Sequence, residues 1–241
     1  MVAAMGAKVI LEVQKPLFRL LQGLEGVNQL IERGDVIPTF DYHCPLMSLP
    51  HAFNTDEYST PWREGYFPVD AAQRAKWAQK LGGKTKPYIG IVWSGSAGHK
   101  NDHNRSIALS NFIGMLPNCY RYISLQREVR PSDQVALSNC KWIEHFGDEL
   151  EDFAETAALC DLMDVVVSVD TSVAHLAASL GRPTWILLPY SVDWRWMLSR
   201  PDSPWYPSAR LYRQEDLSGW DDVLQKVRTD LRLFLGETFE C

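Results

Sequence analysis

The apolar positions of this chain change rhythm at regular intervals, and each change marks an element. The densest run, Val165-Val-Val-Ser-Val169, is almost unbroken. Such a run predicts a strand buried on both faces of a parallel sheet, because a half-exposed strand would alternate. From Ser172 the period becomes helical: Val173, Leu176, Ala177 and Leu180 form one apolar stripe, while Ser172, His175 and Ser179 lie on another face. Asp170 or Thr171 is the candidate N-cap, and Gly181-Arg-Pro183 is a strong stop. A second apolar run, 184–189, completes a βαβ unit whose first strand is central in its sheet.

The same rhythm predicts the remaining elements. A helix end at 1–6, a strand at 8–13, a short helix at 16–21 and a strand at 27–31 suggest α/β from the start. Residues 35–70 are loop-dominated, with a short helix inside 44–53. A helix over 71–81, capped by Asp70 and stopped by Gly82-Gly83, precedes a domain boundary. Strands at 88–93, 120–125 and 141–145 then alternate with helices at 110–116, 132–137 and 150–163, which makes a doubly wound sheet. A last short strand spans 210–213. Ser218 caps a final helix, and its stripe of Trp220, Val223, Leu224, Val227, Leu231 and Phe234 predicts that it packs on a domain.

Composition narrows the partners. With 30 acidic and 24 basic residues the chain carries a net charge of −6, so it has no general attraction for nucleic acid. Its five cysteines, Cys44, Cys119, Cys140, Cys160 and Cys241, are widely spaced and read as reduced thiols. No apolar run approaches the ~20 residues of a transmembrane helix, and no signal-peptide core is present, which makes the cytoplasm the expected location.

The chemistry collects at the carboxyl edge of the sheet, where open α/β sheets bind ligands. The turn Asp170-Thr171-Ser172 joins hydroxyls to the free amides of a helix start, a combination suited to phosphate. The 94–106 loop follows a strand: Gly95 and Gly98 allow close backbone approach, and Lys100 and Arg105 are placed to meet a diphosphate. It lacks both the dinucleotide fingerprint and the P-loop pattern, and no serine-hydrolase elbow is present. His99 and His103 flank Asp102 without a third ligand at metal-binding spacing, so a hydrated loop is expected. Gln126-Arg127 and the 148–152 loop fall on the same edge. Trp194 and Trp196, in a proline-rich stretch, are read either as stacking residues at the cleft or as wedges packing the loop on the sheet.

Taken together, Trp93-Ser-Gly-Ser, Asp102-His-Asn-Arg-Ser106, Ser124-Leu-Gln126, Asp152-Phe-Ala-Glu-Thr-Ala157, Ser168-Val-Asp-Thr-Ser-Val-Ala-His-Leu-Ala177, Asp193-Trp-Arg-Trp196 and Asp202-Ser-Pro-Trp-Tyr-Pro207 resemble a known family. They resemble the glycosyltransferase-like domain that ends many bacterial tetratricopeptide-repeat proteins. This domain is similar to the ADP-heptose:lipopolysaccharide heptosyltransferases of glycosyltransferase family 9, and distantly to O-GlcNAc transferases. The resemblance implies a GT-B architecture: an incomplete N-terminal, acceptor-side α/β domain over 1–83, a donor-binding, doubly wound Rossmann-like domain over 84–217, and a C-terminal helix over 218–241 that packs back on the domains. It implies that the turn from Asp170 through Thr171 and Ser172 to Val173 holds the diphosphate of a nucleotide sugar. It further implies that His175, Ser94, Gly95, Lys100, Arg105 and Gln126 contact the donor, that neither metal nor other cofactor is used, and that tetratricopeptide repeats lie upstream.

The family's opening Gly-rich loop, with the acidic residue often assigned as base in the heptosyltransferase relatives, has no counterpart in this sequence. The acidic residues Asp41 and Asp56 match no catalytic motif and are read as surface loop residues. Nucleotide binding with negligible transfer by this chain is therefore expected. Two functions stand side by side: an inverting, metal-independent glycosyltransferase acting on a protein, glycan or lipid-linked acceptor, and a non-catalytic module that binds nucleotide, sugar or protein.

Overall fold

The computed structural model describes residues 1–62, 65–217 and 219–236. The strands among them are β1 (Ile10–Val13), β2 (Gln29–Glu32), β3 (Tyr88–Val92), β4 (Arg121–Ser124), β5 (Ile143–His145), β6 (Val165–Val169), β7 (Thr184–Leu188) and β8 (Ala209–Arg213). The helices are α1 (Phe18–Leu21), α2 (Leu49–Ala52), α3 (Ala71–Leu81), α4 (Asp102–Arg105), α5 (Leu109–Met115), α6 (Pro131–Asn139), α7 (Phe153–Cys160), α8 (Ser172–Ser179) and α9 (Asp221–Leu235).

Strands β3 to β8 form one six-stranded sheet in the order β5-β4-β3-β6-β7-β8, with every pair parallel. The unbroken apolar run is β6, buried at all five positions and seated between β3 and β7, as its composition requires. From β3 the chain builds outward to β4 and β5, then returns to place β6 on the other side of β3. The order reverses between β3 and β6, and ligands bind outside the carboxyl ends of strands at such a switch point. β1 and β2 pair separately in a two-stranded parallel sheet.

Alternate residues of the central strands feed two cores. Ile89, Ile91, Val165 and Val167 point to the side where Phe112 of α5 packs with Val223, Leu224, Val227 and Leu231 of α9. Val92, Ile123 and Val166 point to the other, where Trp77 and Leu81 of α3, Leu159 of α7 and Leu176 of α8 close the layer. Trp77 is wholly buried, and its indole donates to Glu155 Oε2 at 2.8 Å, joining α3 to α7. Leu20 of α1 enters the same core, while Arg19 pairs with Asp152 at 2.8 Å, so α1 is fastened to the start of α7.

Several expectations are met closely. Asp70 caps α3 by accepting from the Gln73 amide at 2.8 Å, and Gly181 after α8 takes φ +75°, the left-handed turn that glycine tolerates. Others are corrected. The 94–106 segment is not all loop: Asp102–Arg105 forms a helical turn. The described part of the final helix packs on α5 and β8 of the large sheet. Cys44, Cys140 and Cys160 are free thiols, but Cys119 is disulfide-bonded, which removes one support for a reducing compartment. The cap assigned to Ser218 lies outside the described residues.

Candidate functional site

At the switch point a cleft of about 230 Å³ opens between the β3 loop, the β4 end and the starts of α7 and α8. Its lining includes Ser94, Gly95, Gln126, Asp152, Thr171, Ser172 and Val173, with Pro16 contributed by the N-terminal segment. A larger hollow, about 550 Å³, lies against the edge strand β8 and α9. Its cations are already matched, Lys226 to Glu215 and Arg210 to Asp230, each at 2.7 Å. The smaller cleft has the better chemistry because the start of α8, which no side chain caps, borders it.

The two helix starts facing this cleft differ. α7 is closed by its own cap: Asp152 accepts from the amides of Ala154 at 2.9 Å and Glu155 at 3.0 Å. At α8 no side chain caps the helix. Thr171 occupies the N-cap position by backbone geometry, yet its buried hydroxyl turns inward to Ser168 Oγ at 3.1 Å. The first amides of an α-helix have no intrahelical acceptor, so those of Ser172 and Val173 face the cleft with the positive end of the helix dipole behind them. The N-cap thus falls on Thr171, one of the two expected residues, but without a side-chain cap hydrogen bond. Ser172 is exposed, as a ligand-contacting residue must be.

The predicted residues of the β3 loop separate into two groups. Ser94 and Gly95 line the cleft. Gln126 lines it too, but its polar atoms are committed to the protein. Its Oε1 accepts from the amides of Trp93 at 2.7 Å and Ser94 at 2.8 Å, and its Nε2 donates to Ser94 Oγ at 3.1 Å. It shapes the β3 loop from within the cleft lining. Arg105 likewise serves the scaffold: its guanidinium lies where a Cβ on Gly95 would stand, within 2.7 Å, and donates to the Asp170 carbonyl at 2.8 Å. That bond ties the β3 loop to the turn before α8. Lys100 is exposed and is not among the residues lining the cleft.

Beneath the loop lies a charge cluster that sequence reading missed. Buried Asp102 accepts from Arg130 and from Ser106 Oγ, the latter at 2.9 Å, and stands 3.5 Å from Arg105 Nε. Arg130 also donates to the Gly95 carbonyl at 3.0 Å. Asp133 is buried as well, accepting from the Trp93 indole at 3.0 Å and the Leu109 amide at 3.1 Å. The available signal was an acidic residue at 102 with arginines at 105 and 130. Nothing in their spacing shows that they converge.

His175 is not part of the lining. Its ring stacks on Trp196 at 4.9 Å, its Nδ1 is 3.0 Å from the Tyr206 hydroxyl, and its Nε2 is 4.0 Å from Asp170 Oδ1. Burial lowers its pKa, against the opposing pull of Asp170. Trp196 is only 1% exposed and wedges the loop against Ile186 and Leu188 of β7, whereas Trp194 is 56% exposed. The loop carrying them is held by Arg213 of β8, which donates to the carbonyls of Trp196, Met197 at 3.0 Å and Arg200 at 3.2 Å. Met197 itself sits at φ +56°, a conformation that a non-glycine residue keeps only when its surroundings enforce it. Asp56 accepts from Ser59 and Tyr58 in a loop of its own, and neither it nor Asp41 lines the cleft. No group of three or more metal-ligating side chains occurs among the described residues.

Burial also lowers the pKa of His145, whose Nδ1 is 3.0 Å from the buried Ser124 hydroxyl. A base with a depressed folded pKa is protonated more readily in the unfolded chain. Its contribution to stability is therefore complete above the unfolded value of about 6.5 and is lost as pH falls through the folded one. Urea midpoints are expected to decline from pH 7 to pH 5.5, with His145→Gln showing a shallower decline. Parallel pH profiles for the two proteins would refute this.

Part of the chain's similarity to known proteins falls on this region. Residues 151–210, from the start of α7 into β8, match the model of glycosyltransferase family 9 (heptosyltransferase). Protein FlbA of Caulobacter vibrioides is 26% identical over 207 residues, which are 81% of this chain and 33% of that protein. The chain thus spans about a third of the length of that relative. The fold is shared with E. coli ADP-heptose LPS heptosyltransferase II, at TM-score 0.56 and 14% identity over 95% of this chain and 89% of that one. It is shared also with a family 9 glycosyl transferase of Veillonella parvula, at TM-score 0.54 and 11% identity over 92% and 82% of the two chains. The uncapped start of α8 accordingly lies within the stretch that carries a glycosyltransferase family 9 match, which also supplies the α7 side of the cleft, while Ser94, Gly95 and Gln126 lie outside it; the fold is shared with heptosyltransferases.

Proposed function

We propose that this chain binds a nucleoside diphosphate sugar in the switch-point cleft and forms the donor side of a glycosyltransferase. The observation that carries the reading is the contrast between the two helix starts: α7 is closed by Asp152, and α8, inside the family 9 match, is open. The diphosphate lies on the amides of Ser172 and Val173, with Ser94 and Gly95 bordering it. Helix amides and dipole supply the neutralisation, so no metal is required for binding. The GT-B division at about residue 83, the cytoplasmic location and tetratricopeptide repeats upstream belong to the same proposal. The acceptor class stays open among protein, glycan and lipid-linked hydroxyls.

A non-catalytic binding module is the second reading, and one observation favours it. Glycosyl transfer requires a base within hydrogen-bond reach of the acceptor hydroxyl. Pro16 is the one residue of 1–83 that lines the cleft among the described residues, and it has no proton to exchange. A thermal-shift screen across ADP-, GDP-, UDP- and CMP-sugars tests the binding common to both readings. One nucleotide class is expected to raise the melting temperature in proportion to the logarithm of its concentration. Uniformly flat responses would remove the donor site, and turnover of the stabilising sugar separates transferase from binding module.

A further inference from the structure

The site described above leaves a question about Asp170. A carboxylate one residue before the N-cap is drawn toward the positive end of α8, where it would cover the amides that an anion needs. In this structure it does not cap the helix, and its Oδ1 lies 4.0 Å from His175 Nε2.

A neutral imidazole donates from one nitrogen and accepts at the other. A carboxylate only accepts, so the arrangement is favourable when the proton is on Nε2, and the bare Nδ1 then needs a donor. Tyr206 stands there, its hydroxyl 3.0 Å from Nδ1. We propose that Tyr206 is a positioning residue: its O–H donates to His175 Nδ1, fixes the ring proton on Nε2, and so holds the Asp170 carboxylate away from the open amides of α8. The ring has little freedom to choose otherwise. Trp196 stacks on one face at an interplanar angle of 20°, and Tyr206 also meets the ring edge-on at 5.7 Å. The charged groups acting on it are Asp170 from the turn before α8, and Asp193 and Arg195 from the aromatic loop. Arg195 pairs with Asp193 at 2.8 Å, which leaves Asp170 as the unspent carboxylate nearest Nε2, 4.0 Å away.

This inference rests on the donor-site reading for its consequence but not for its first test. Long-range ¹H–¹⁵N correlation spectra of the full chain labelled at histidine read the tautomer directly. The His175 signal is assigned by its loss in His175→Gln or, if that variant does not fold, by sequential backbone connectivity. The wild type is expected to show the Nε2–H form at neutral pH, and Tyr206→Phe a mixture or the Nδ1–H form. A wild-type ring protonated on Nδ1, or a Tyr206→Phe ring that is still purely Nε2–H, overturns the proposal.

The second test titrates inorganic pyrophosphate into both proteins. Tyr206→Phe is expected to lower affinity about tenfold while thermal stability is maintained, since the freed carboxylate now caps α8. A purely structural tyrosine would lower stability and leave the affinity of the remaining folded protein unchanged, which would refute the role. If the wild type binds no pyrophosphate, the donor-site reading is what fails, and the tautomer measurement decides the proposal alone.

Discussion

Ser172→Pro is expected to reduce nucleoside diphosphate affinity by at least tenfold while leaving the fold intact. Proline at the first position of a helix is tolerated because that residue's N–H has no intrahelical acceptor, and its fixed φ suits the helix. The preceding residue must be extended, and Thr171 already is, at φ −141° and ψ 169°. The substitution therefore removes one amide donor and puts a methylene in its place without disturbing the βαβ unit. A hydrogen bond to a charged group contributes about 1.5–3 kcal/mol, so losing one amide costs roughly ten- to a hundredfold in affinity. Ser172→Ala keeps the amide and should lose far less. Calorimetric titration with the nucleotide chosen by the thermal-shift screen, beside melting curves that agree within about 2 °C, checks the prediction. Equal affinities for Ser172→Pro and wild type would show that the start of α8 is not the anion site.

The legibility of this site in the sequence followed the physics of each signal. The β6–α8 unit was readable because an unbroken apolar run, a change of period and a Gly-Arg-Pro stop all point to one arrangement. The edge of the sheet on which the loops gather followed from the alternation of strands and helices. What remained hidden was the direction in which polar side chains turn. Gln126, Arg105 and Thr171 are polar residues at the right edge, and each spends its hydrogen bonds on the scaffold. Sequence assigns such residues to an edge but does not tell the inside of a loop from its ligand face. Trp194 and Trp196 illustrate the same limit. They lie two apart in a 3₁₀ turn of three residues per turn, which places them on different sides, so one is exposed and the other buried. The stripe on α9 showed that the helix packs, and an amphipathic pattern does not name the surface that receives it.

The last expected result concerns the cluster that supports the β3 loop. Asp102→Ala should destabilise the protein by about 2–4 kcal/mol, at or just below the range for breaking a buried ion pair, because Arg130 retains some solvent contact. The carboxylate is 10% exposed and Arg130 is 30% exposed, so removal leaves a cation that is partly, not fully, desolvated. The damage should extend beyond stability. Arg130 reaches the Gly95 carbonyl, Ser106 accepts from the Gly95 amide at 3.0 Å, and Arg105 stands over the same glycine on its way to Asp170. Without Asp102 these three contacts lose their common anchor, and the wall of the cleft facing α8 loosens. A double-mutant cycle with Arg130→Met measured by urea unfolding separates the two effects. A buried pair predicts a coupling of about 1–3 kcal/mol, with the double variant more stable than Asp102→Ala because the orphaned cation is gone. Nucleotide affinity should fall in both single variants, since each frees the loop. Additive unfolding energies, or full affinity in a destabilised Asp102→Ala protein, would separate the cluster from the site and leave it an ordinary element of the core.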